Sequence, residues 1–324
     1  MGTPCELVDL DLDLDHARYR VHDRSARDTL FDARPSVVIG CAARPVDVSA
    51  DAYDVLLTGS PDAPRPWVSC ADHRKTASRL CELVEARADA ALALVQVLRL
   101  GRHLSVPERL VAESLAYSVL QGGAVFRQWL ATAPRGTARP AARPVRLDRD
   151  GDRLTVTLDR PWVRNAVDAA TRDALCEALA VADADPSVSW VDLRGNGPAF
   201  CSGGDLTEFG TSRDPARAHR IRVERSPAAL LARCADRVTA HLHGACVGAG
   251  IELASFAGRV VAAPDTRIQL PEVAMGLIPG AGGTAGLPRR IGRHRTAYLA
   301  LSGAVLTARE ARAWGLVDEV ISRV

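Results

Sequence analysis

Three short segments of this chain place acids and glycines where a small oxyanion could be made and held. His243-Gly244-Ala245-Cys246-Val247-Gly248-Ala249-Gly250-Ile251-Glu252-Leu253 gathers small residues at a helix start and follows them with an acid. Unpaired N–H groups and the positive dipole end of a helix collect at such a point. Loss of one donor to a developing oxyanion costs about 2.7–4 kcal/mol in transition-state energy, so the placement has weight. Leu270-Pro271-Glu272-Val273 sets a second acid directly after a proline and runs into Gly276-Leu277-Ile278-Pro279-Gly280-Ala281-Gly282-Gly283-Thr284. Ala199-Phe200-Cys201-Ser202-Gly203-Gly204-Asp205-Leu206 puts adjacent glycines after an apolar run, where a backbone amide can approach a ligand with no Cβ in the way. Each segment also has a plain reading. Gly203-Gly204 can be an ordinary left-handed turn, and Glu252 in a first helical turn gains about 0.3–1 kcal/mol from the dipole without any catalysis. Glu272 can be a helix-start acid beside a loop.

The elements that would position these segments have the rhythm of an α/β unit. Residues 145–149 and 154–158 alternate on either side of Asp150-Gly151, which predicts a hairpin. Helices are predicted over 170–182, 226–235 and 249–256, and strands over 188–193, 238–242, 259–263 and 267–270. Residues 209–222 read as a variable loop. Upstream, residues 1–72 alternate short strand-like runs (7–14, 36–40, 53–58) with turns. Residues 73–131 look helical: Leu80, Leu83, Val84, Ala91, Leu92, Leu94 and Val95 recur at helical spacing, and Pro107 opens a second amphipathic stretch through Leu130. Residues 132–144, rich in Pro, Ala and Arg without an apolar period, read as a linker and domain boundary. The expected division is therefore 1–72, 73–131, 132–144 and 145–324. Val55-Leu56-Leu57-Thr58-Gly59 followed by Val68-Ser69-Cys70-Ala71-Asp72 parallels the run from Val191 to Gly195 followed by Phe200 to Asp205. That makes residues 1–72 a candidate degenerate copy of the later unit, with chance likeness as the alternative.

Bulk properties narrow the function classes. Apolar residues make up 47% and charged residues 25%, a globular composition with ample core material. The net charge is only +2, nearly every cation is Arg, and no basic run alternates with aromatics, which argues against a nucleic-acid surface. The eight cysteines include no CxxC and no Cys/His pair at zinc-finger spacing, so reduced, mostly buried thiols are expected and no metal. The N-terminal segment is acidic and lacks the apolar core of a secretion signal, and no stretch approaches a transmembrane span, so a cytoplasmic protein without membrane partners is expected.

Together, in order and spacing, the three segments resemble the motifs of the crotonase (enoyl-CoA hydratase/isomerase) superfamily. The resemblance takes in Asp159-Arg160-Pro161 with Asn165-Ala166, then Leu301-Ser302-Gly303, then Ala311-Arg312-Ala313-Trp314-Gly315-Leu316-Val317-Asp318-Glu319-Val320, and so covers about residues 145–324. It implies an α/β chain with a crotonase-like ββα superhelix (the ClpP/crotonase spiral), preceded by an α+β N-terminal region. It implies an acyl-CoA substrate whose adenine end lies near residues 160–166, with Arg164, Asn165 and Ala166 at the CoA. The thioester oxygen would take hydrogen bonds from the backbone N–H groups of Gly204 and Ala249, the oxyanion hole. In the family's hydratases two glutamates flank the substrate, and their positions fall on Glu252 and Glu272 here. The presence of both implies syn-hydration of a 2-enoyl-CoA or its reverse, with no cofactor beyond the coenzyme A of the substrate and with a homo-trimer or hexamer. Other readings are an isomerase or another enolate reaction in the same hole, and a catalytically silent acyl-CoA-binding or interaction subunit. A further one is the cofactor-independent dihydroxyphenylacetyl-CoA dioxygenase branch, which also carries an N-terminal extension and is similar in kind over residues 118–130.

Two features depart from the family pattern. Ala249 replaces the more usual glycine of the oxyanion turn, which keeps the donor if the local φ suits Ala. The sequence runs only to Val324, whereas family members continue past the Trp314–Val320 motif into a helical tail, so residues 73–131 are expected to cover that apolar surface. His241 and His243 beside the turn are expected to be structural, and neither Cys201 nor Cys246 has an evident base partner to make it a nucleophile.

Overall fold

The computed structural model describes residues 3–11, 35–133, 136, 137, 139 and 141–322. Parts of the 7–14 run and of the 132–144 linker fall outside these residues. The N-terminal strands β1 (Cys5–Asp9), β2 (Val37–Ala42), β3 (Val55–Thr58) and β4 (Val68–Ser69) form one sheet in that order, every pair parallel. All residues of β2 and β3 are buried, as a parallel sheet covered on both faces requires. One face carries its own apolar cluster, with Leu10, Tyr53, Leu56 and Trp67, and the other joins the main core.

The helical stretch resolves into four helices among the described residues: α1 (His73–Ala86), α2 (Ala88–Leu100), α3 (Val106–Gln121) and α4 (Ala124–Thr132). Asp72 caps α1 by accepting from the Lys75 amide, and Arg87, at φ −139°, breaks α1 from α2. Ser105 and Glu108 close a capping box on α3. Gly122 and Gly123 interrupt what the sequence suggested as one stretch to Leu130.

From Val145 the strands follow the sequence pattern closely. The hairpin β5 (Val145–Asp150) and β6 (Arg153–Leu158) leads through α5 (Ala169–Ala184) to β7 (Trp190–Gly195). Next come α6 (Pro215–Glu224), α7 (Pro227–Arg233), β8 (Val238–Leu242), β9 (Ala245–Val247), α8 (Ala249–Ala254), β10 (Arg259–Ala262) and β11 (Arg267–Gln269). The chain closes with α9 (Gly283–Ser302), β12 (Leu306–Thr307), α10 (Ala308–Trp314) and β13 (Glu319–Val320). Two sheets result, in the orders β13-β10-β8-β7-β6-β5 and β12-β11-β9. They make successive ββα turns of a spiral. Residues 209–222, read as a loop, are mostly helix α6, entered by Asp214, which accepts from the Ala216 and Arg217 amides, and by Pro215 at its first turn.

The likeness between residues 55–72 and 191–205 does not extend to pairing. Val68 pairs with Leu57 of its own preceding strand, whereas Cys201 bridges Cys246 in a different sheet. Neither half is independent of the other. A continuous core runs from β2 and β3 through α1 and α2 into β6, β7, β8 and α9. Gly292 (φ 77°, ψ 158°) kinks α9, and beyond the kink side chains reach the N-terminal region. Arg293 donates to the carbonyls of Tyr53 and Ala50, and Arg295 to those of Trp67 and Ala63. Asp54, 1% exposed, meets Arg99 of α2 through both carboxylate oxygens and accepts from the Val38 amide, so this buried charge is paired and hydrogen-bonded. The described cysteines are all free and at least partly buried, with the Cys5 and Cys81 sulfurs 2.8 Å apart. Among the described residues no helix is long and apolar enough to cross a membrane.

Candidate active site

Backbone pairing brings the glycine turns together. The Val247 amide donates to the Cys201 carbonyl and the Cys201 amide to that of Ala245, so the strand before Gly203 runs alongside β9. Gly203, at φ 100°, lies so close to Val247 that a Cβ there would sit 3.2 Å from its carbonyl oxygen. Gly248 (φ 49°, ψ −121°) makes the reversal into α8. Positive φ thus falls on Gly248, and Ala249 takes the first helical position, which is why an alanine is tolerated there. Gly204 and Ala249 both line one cleft of about 390 Å³. Neither amide has a hydrogen-bond acceptor among the described residues.

Glu252 and Glu272 line the same cleft and are 2% and 9% exposed. Glu252, on α8, accepts at Oε2 from the amides of Ala281 (2.7 Å) and Gly283 (2.9 Å). Glu272 opens a single 3-10 turn after Pro271, and its Oε2 is buried with no hydrogen-bond partner. Its Oε1 lies where only glycine fits at 248, since a Cβ there would stand 2.5 Å away. Burial pushes Glu272 up to about 8, with the charge of Glu113 adding to it. Glu252 is raised well above the usual carboxylate range by burial and by the charges of Glu272 and Glu113, against the pull of its two amide donors.

Glu113 is a third acid in this cleft, and it escaped the sequence reading. It belongs to α3, is 2% exposed, and accepts from the Gly282 amide, the Thr284 amide and the Thr284 hydroxyl. Burial pushes it up to about 7, against the Thr284 and Gly282 hydrogen bonds. Tyr117 of α3 also lines the cleft, and its ring occupies the space a Cβ at Gly280 would need. Arg222 of α6 lies over that ring, 4.7 Å from its centroid, and donates to Ser114, Ser118 and Gln121 of α3. The signal for Glu113 was present. Glu113, Ser114, Tyr117 and Gln121 share one helical face, within a stretch that the sequence marks only as amphipathic. Helix α4 seals the neighbouring side: Trp129 and Phe126 meet Phe209, and Leu130 fills the space beside Gly210.

The remaining expected positions divide. Arg164, Asn165 and Ala166 do not line the cleft, although Val167 and Asp168 do. Arg164 is exposed, in the left-handed region at φ 52°. Asn165 is buried and its side chain is committed: Oδ1 accepts from the Arg160 amide, and Nδ2 faces the carbonyls of Asn196, Ala199 and Phe200. Ala166 is buried and its carbonyl accepts from Arg160. Arg160 is itself buried between Asp168 and Asp205. His241 contacts Asp192, and His243 contacts the Gly197 carbonyl, both outside the cleft. Burial pushes the Cys201 thiol up to about 12 and raises Cys246 as well, so neither is primed as a thiolate. Among the described residues no cluster of His, Cys, Asp and Glu could hold a metal ion.

The spiral of ββα turns and the two glycine turns on one cleft define a class, and comparison with known proteins agrees with it. The family model for enoyl-CoA hydratase/isomerase matches residues 152–324, more than half of the chain, and the protein belongs to that family. The chain is 36% identical over 176 residues to a mevalonyl-coenzyme A hydratase of Beauveria bassiana, covering 52% of this chain and 63% of that one. It is 36% identical over 167 residues to the 2,3-dehydroadipyl-CoA hydratase of Escherichia coli, covering 52% and 65%. It therefore spans less than two thirds of the length of either relative. The crystal structure of an enoyl-CoA hydratase from Thermoplasma volcanium aligns at a TM-score of 0.52 and 35% identity, over 56% of this chain and 73% of that one.

Proposed function

We propose that the cleft hydrates a 2-enoyl-CoA, or runs the reverse dehydration, with Glu252 and Glu272 as its base and acid. The observation that carries this reading is the unequal treatment of two buried carboxyls on one cleft wall, beside the two open amides. Burial and mutual repulsion keep the acids from all ionising together. Of the two, Glu252 has the N–H donors that favour a carboxylate, set against the burial that raises its proton affinity, while Glu272, with an oxygen that has no donor, is the one that keeps its proton at neutral pH. The thioester oxygen accepts from the Gly204 and Ala249 amides. Glu252 takes a proton from a water as its oxygen bonds to Cβ, and the C=C electrons move into the thioester as an enolate. Glu272 then gives its proton to Cα, the enolate electrons form the new C–H bond, and the 3-hydroxyacyl thioester results.

On this reading no cofactor is needed, since coenzyme A arrives with the substrate. Its adenine end lies near Arg164, the one exposed cation of the 164–166 segment, while the amides of Asn165 and Ala166 are already spent on the carbonyls of Arg160 and Val163. The assembly is a homo-trimer or hexamer, which light scattering checks.

Absorbance at the enoyl-thioester band tests the reaction with crotonyl-CoA and with longer and aromatic enoyl-CoAs. Loss of the band with formation of the 3-hydroxyacyl product is expected. Tight CoA binding without turnover of any acyl-CoA would instead mean a silent subunit. Migration of the double bond would mean an isomerase, and oxygen uptake with an arylacetyl-CoA a dioxygenase.

A further inference from the structure

Glu113 gives the N-terminal region a part in the proposed acid–base chemistry. It lies outside the residues matched to the family, yet it grips the same turn as Glu252. Along the chain the amides of that turn alternate between two carboxyls on different elements. Ala281 and Gly283 donate to Glu252 at 2.7 and 2.9 Å. Gly282 and Thr284 donate to Glu113 at 2.7 and 2.8 Å, and the Thr284 hydroxyl adds a third contact at 2.6 Å. Each carboxyl therefore fixes the peptide planes between those that the other fixes, and moving one set rotates the other. An ionised carboxylate only accepts, so it can take all three donors at once. An amide in its place must turn its NH2 group toward one of those donors.

We infer that Glu113 is a positioning residue for the acid–base pair: it clamps the 281–284 turn from the N-terminal side, so that Glu252 keeps its two amide donors and its place in the cleft. The inference rests on the hydration reading above for its kinetic consequence, but not for the geometry. The groups facing Glu113 are Arg222 of α6, Tyr117 of its own helix, Glu252 of α8 and Glu272. The negative charge of Glu113 raises the proton affinity of both cleft glutamates.

Glu113→Gln tests this in the full chain. The variant should lower kcat at least about ten-fold with KM nearly unchanged, since a misplaced base weakens the transition state more than the bound substrate. With one negative charge removed, the pH–rate limb set by Glu272 should move to lower pH. Glu113→Asp, which keeps the acceptors on a shorter arm, should recover part of the rate. A merely structural Glu113 would lower Tm and leave the pH limbs where they are, and that result would overturn the inference. A measurement without turnover separates the two ideas: 13C NMR titration of glutamate-labelled protein, with Glu252→Gln to assign the Glu252 signal. Released from its two amide donors, the Glu252 carboxyl should titrate higher in Glu113→Gln than in the parent, opposite in sign to the effect of the lost Glu113 charge alone. If enoyl-CoAs are not hydrated but this shift appears, the reaction is wrong and the clamp stands; an unmoved or lowered Glu252 signal overturns the clamp whatever the reaction. Should Glu113→Gln fail to fold, Thr284→Val removes only the hydroxyl donor and should shift the Glu113 signal upward, and an unshifted signal again counts against the clamp.

Discussion

The two walls of the cleft do their work with different materials. The wall formed by residues 199–284 offers main-chain amides and two acids on glycine turns, each fixed by strand pairing or a positive φ. The opposite wall, α3, offers side chains from one helical face: Glu113, Ser114, Tyr117 and Gln121. Their surroundings invert the usual helix rule. The polar face is inside, and Leu115 and Val119 stand in solvent. A helix normally turns its apolar stripe to the core, but here the bonds from Glu113 to the Gly282–Thr284 turn and from Ser114 and Ser118 to Arg222 decide which face goes in. On the proposed reading chemistry sits on the first wall, and the second holds part of its geometry.

The largest effect expected is on the first wall. Glu252→Gln and Glu272→Gln each remove a proposed proton-transfer group, and such a group is worth about 10²–10⁴-fold in rate. Steady-state hydration of a crotonyl thioester measures the loss, with circular dichroism reporting an intact fold. Either variant retaining full rate would strip that wall of its assigned role. The seam between the walls should be next. Gly280→Ala places a methyl 2.4 Å from the Tyr117 ring, and overpacking of this kind costs about 1–3 kcal/mol. Urea unfolding should show the loss and kcat should fall with it, because the added methyl pushes α3 from the 280–284 turn. A variant as stable as the parent would mean that the walls are not tightly joined.

The smallest effect is a slope in pH. Glu113, Glu252 and Glu272 bind protons more tightly folded than unfolded, with Glu113 near about 7 and Glu272 near about 8. For Glu113 and Glu272 the contribution to stability is fully present below the unfolded carboxyl pKa of about 4.3 and is lost as pH rises through 7 and 8. Glu272→Gln removes one such group, so the stability of the variant relative to the parent should improve between pH 5 and 9. A constant difference across that range would place Glu272 in water rather than in the seam.

Much of the first wall was legible in the sequence because its signals are local. The Asp150-Gly151 hairpin, the alternation of β8 and the glycine turns carrying Gly204 and Ala249 depend on neighbours in the chain. The pairing that aligns Cys201 with Cys246 does not, and β9 was hidden inside what read as a turn. Helix α6 was missed because PARAHRIRVE has no clear apolar stripe, though Asp214-Pro215 is a proper start signal. Glu113 was missed for a deeper reason. Its partners are the amides of Gly282 and Thr284, far along the chain, and no periodicity within α3 reveals that a polar face has a backbone to meet. Asn165 shows the converse: a motif position expected at the ligand is spent holding three carbonyls of the strand turn.

The kink at Gly292 gives α9 two jobs. Its leading end presents the Gly283 and Thr284 amides to the two acids, and past the bend Arg293 and Arg295 are fastened to carbonyls between Ala50 and Trp67. The peptide running from α4 to β5 is therefore the least of what joins the halves. A protease nick in that crossing should leave a two-piece protein that still migrates as one, because the rivets lie in α9.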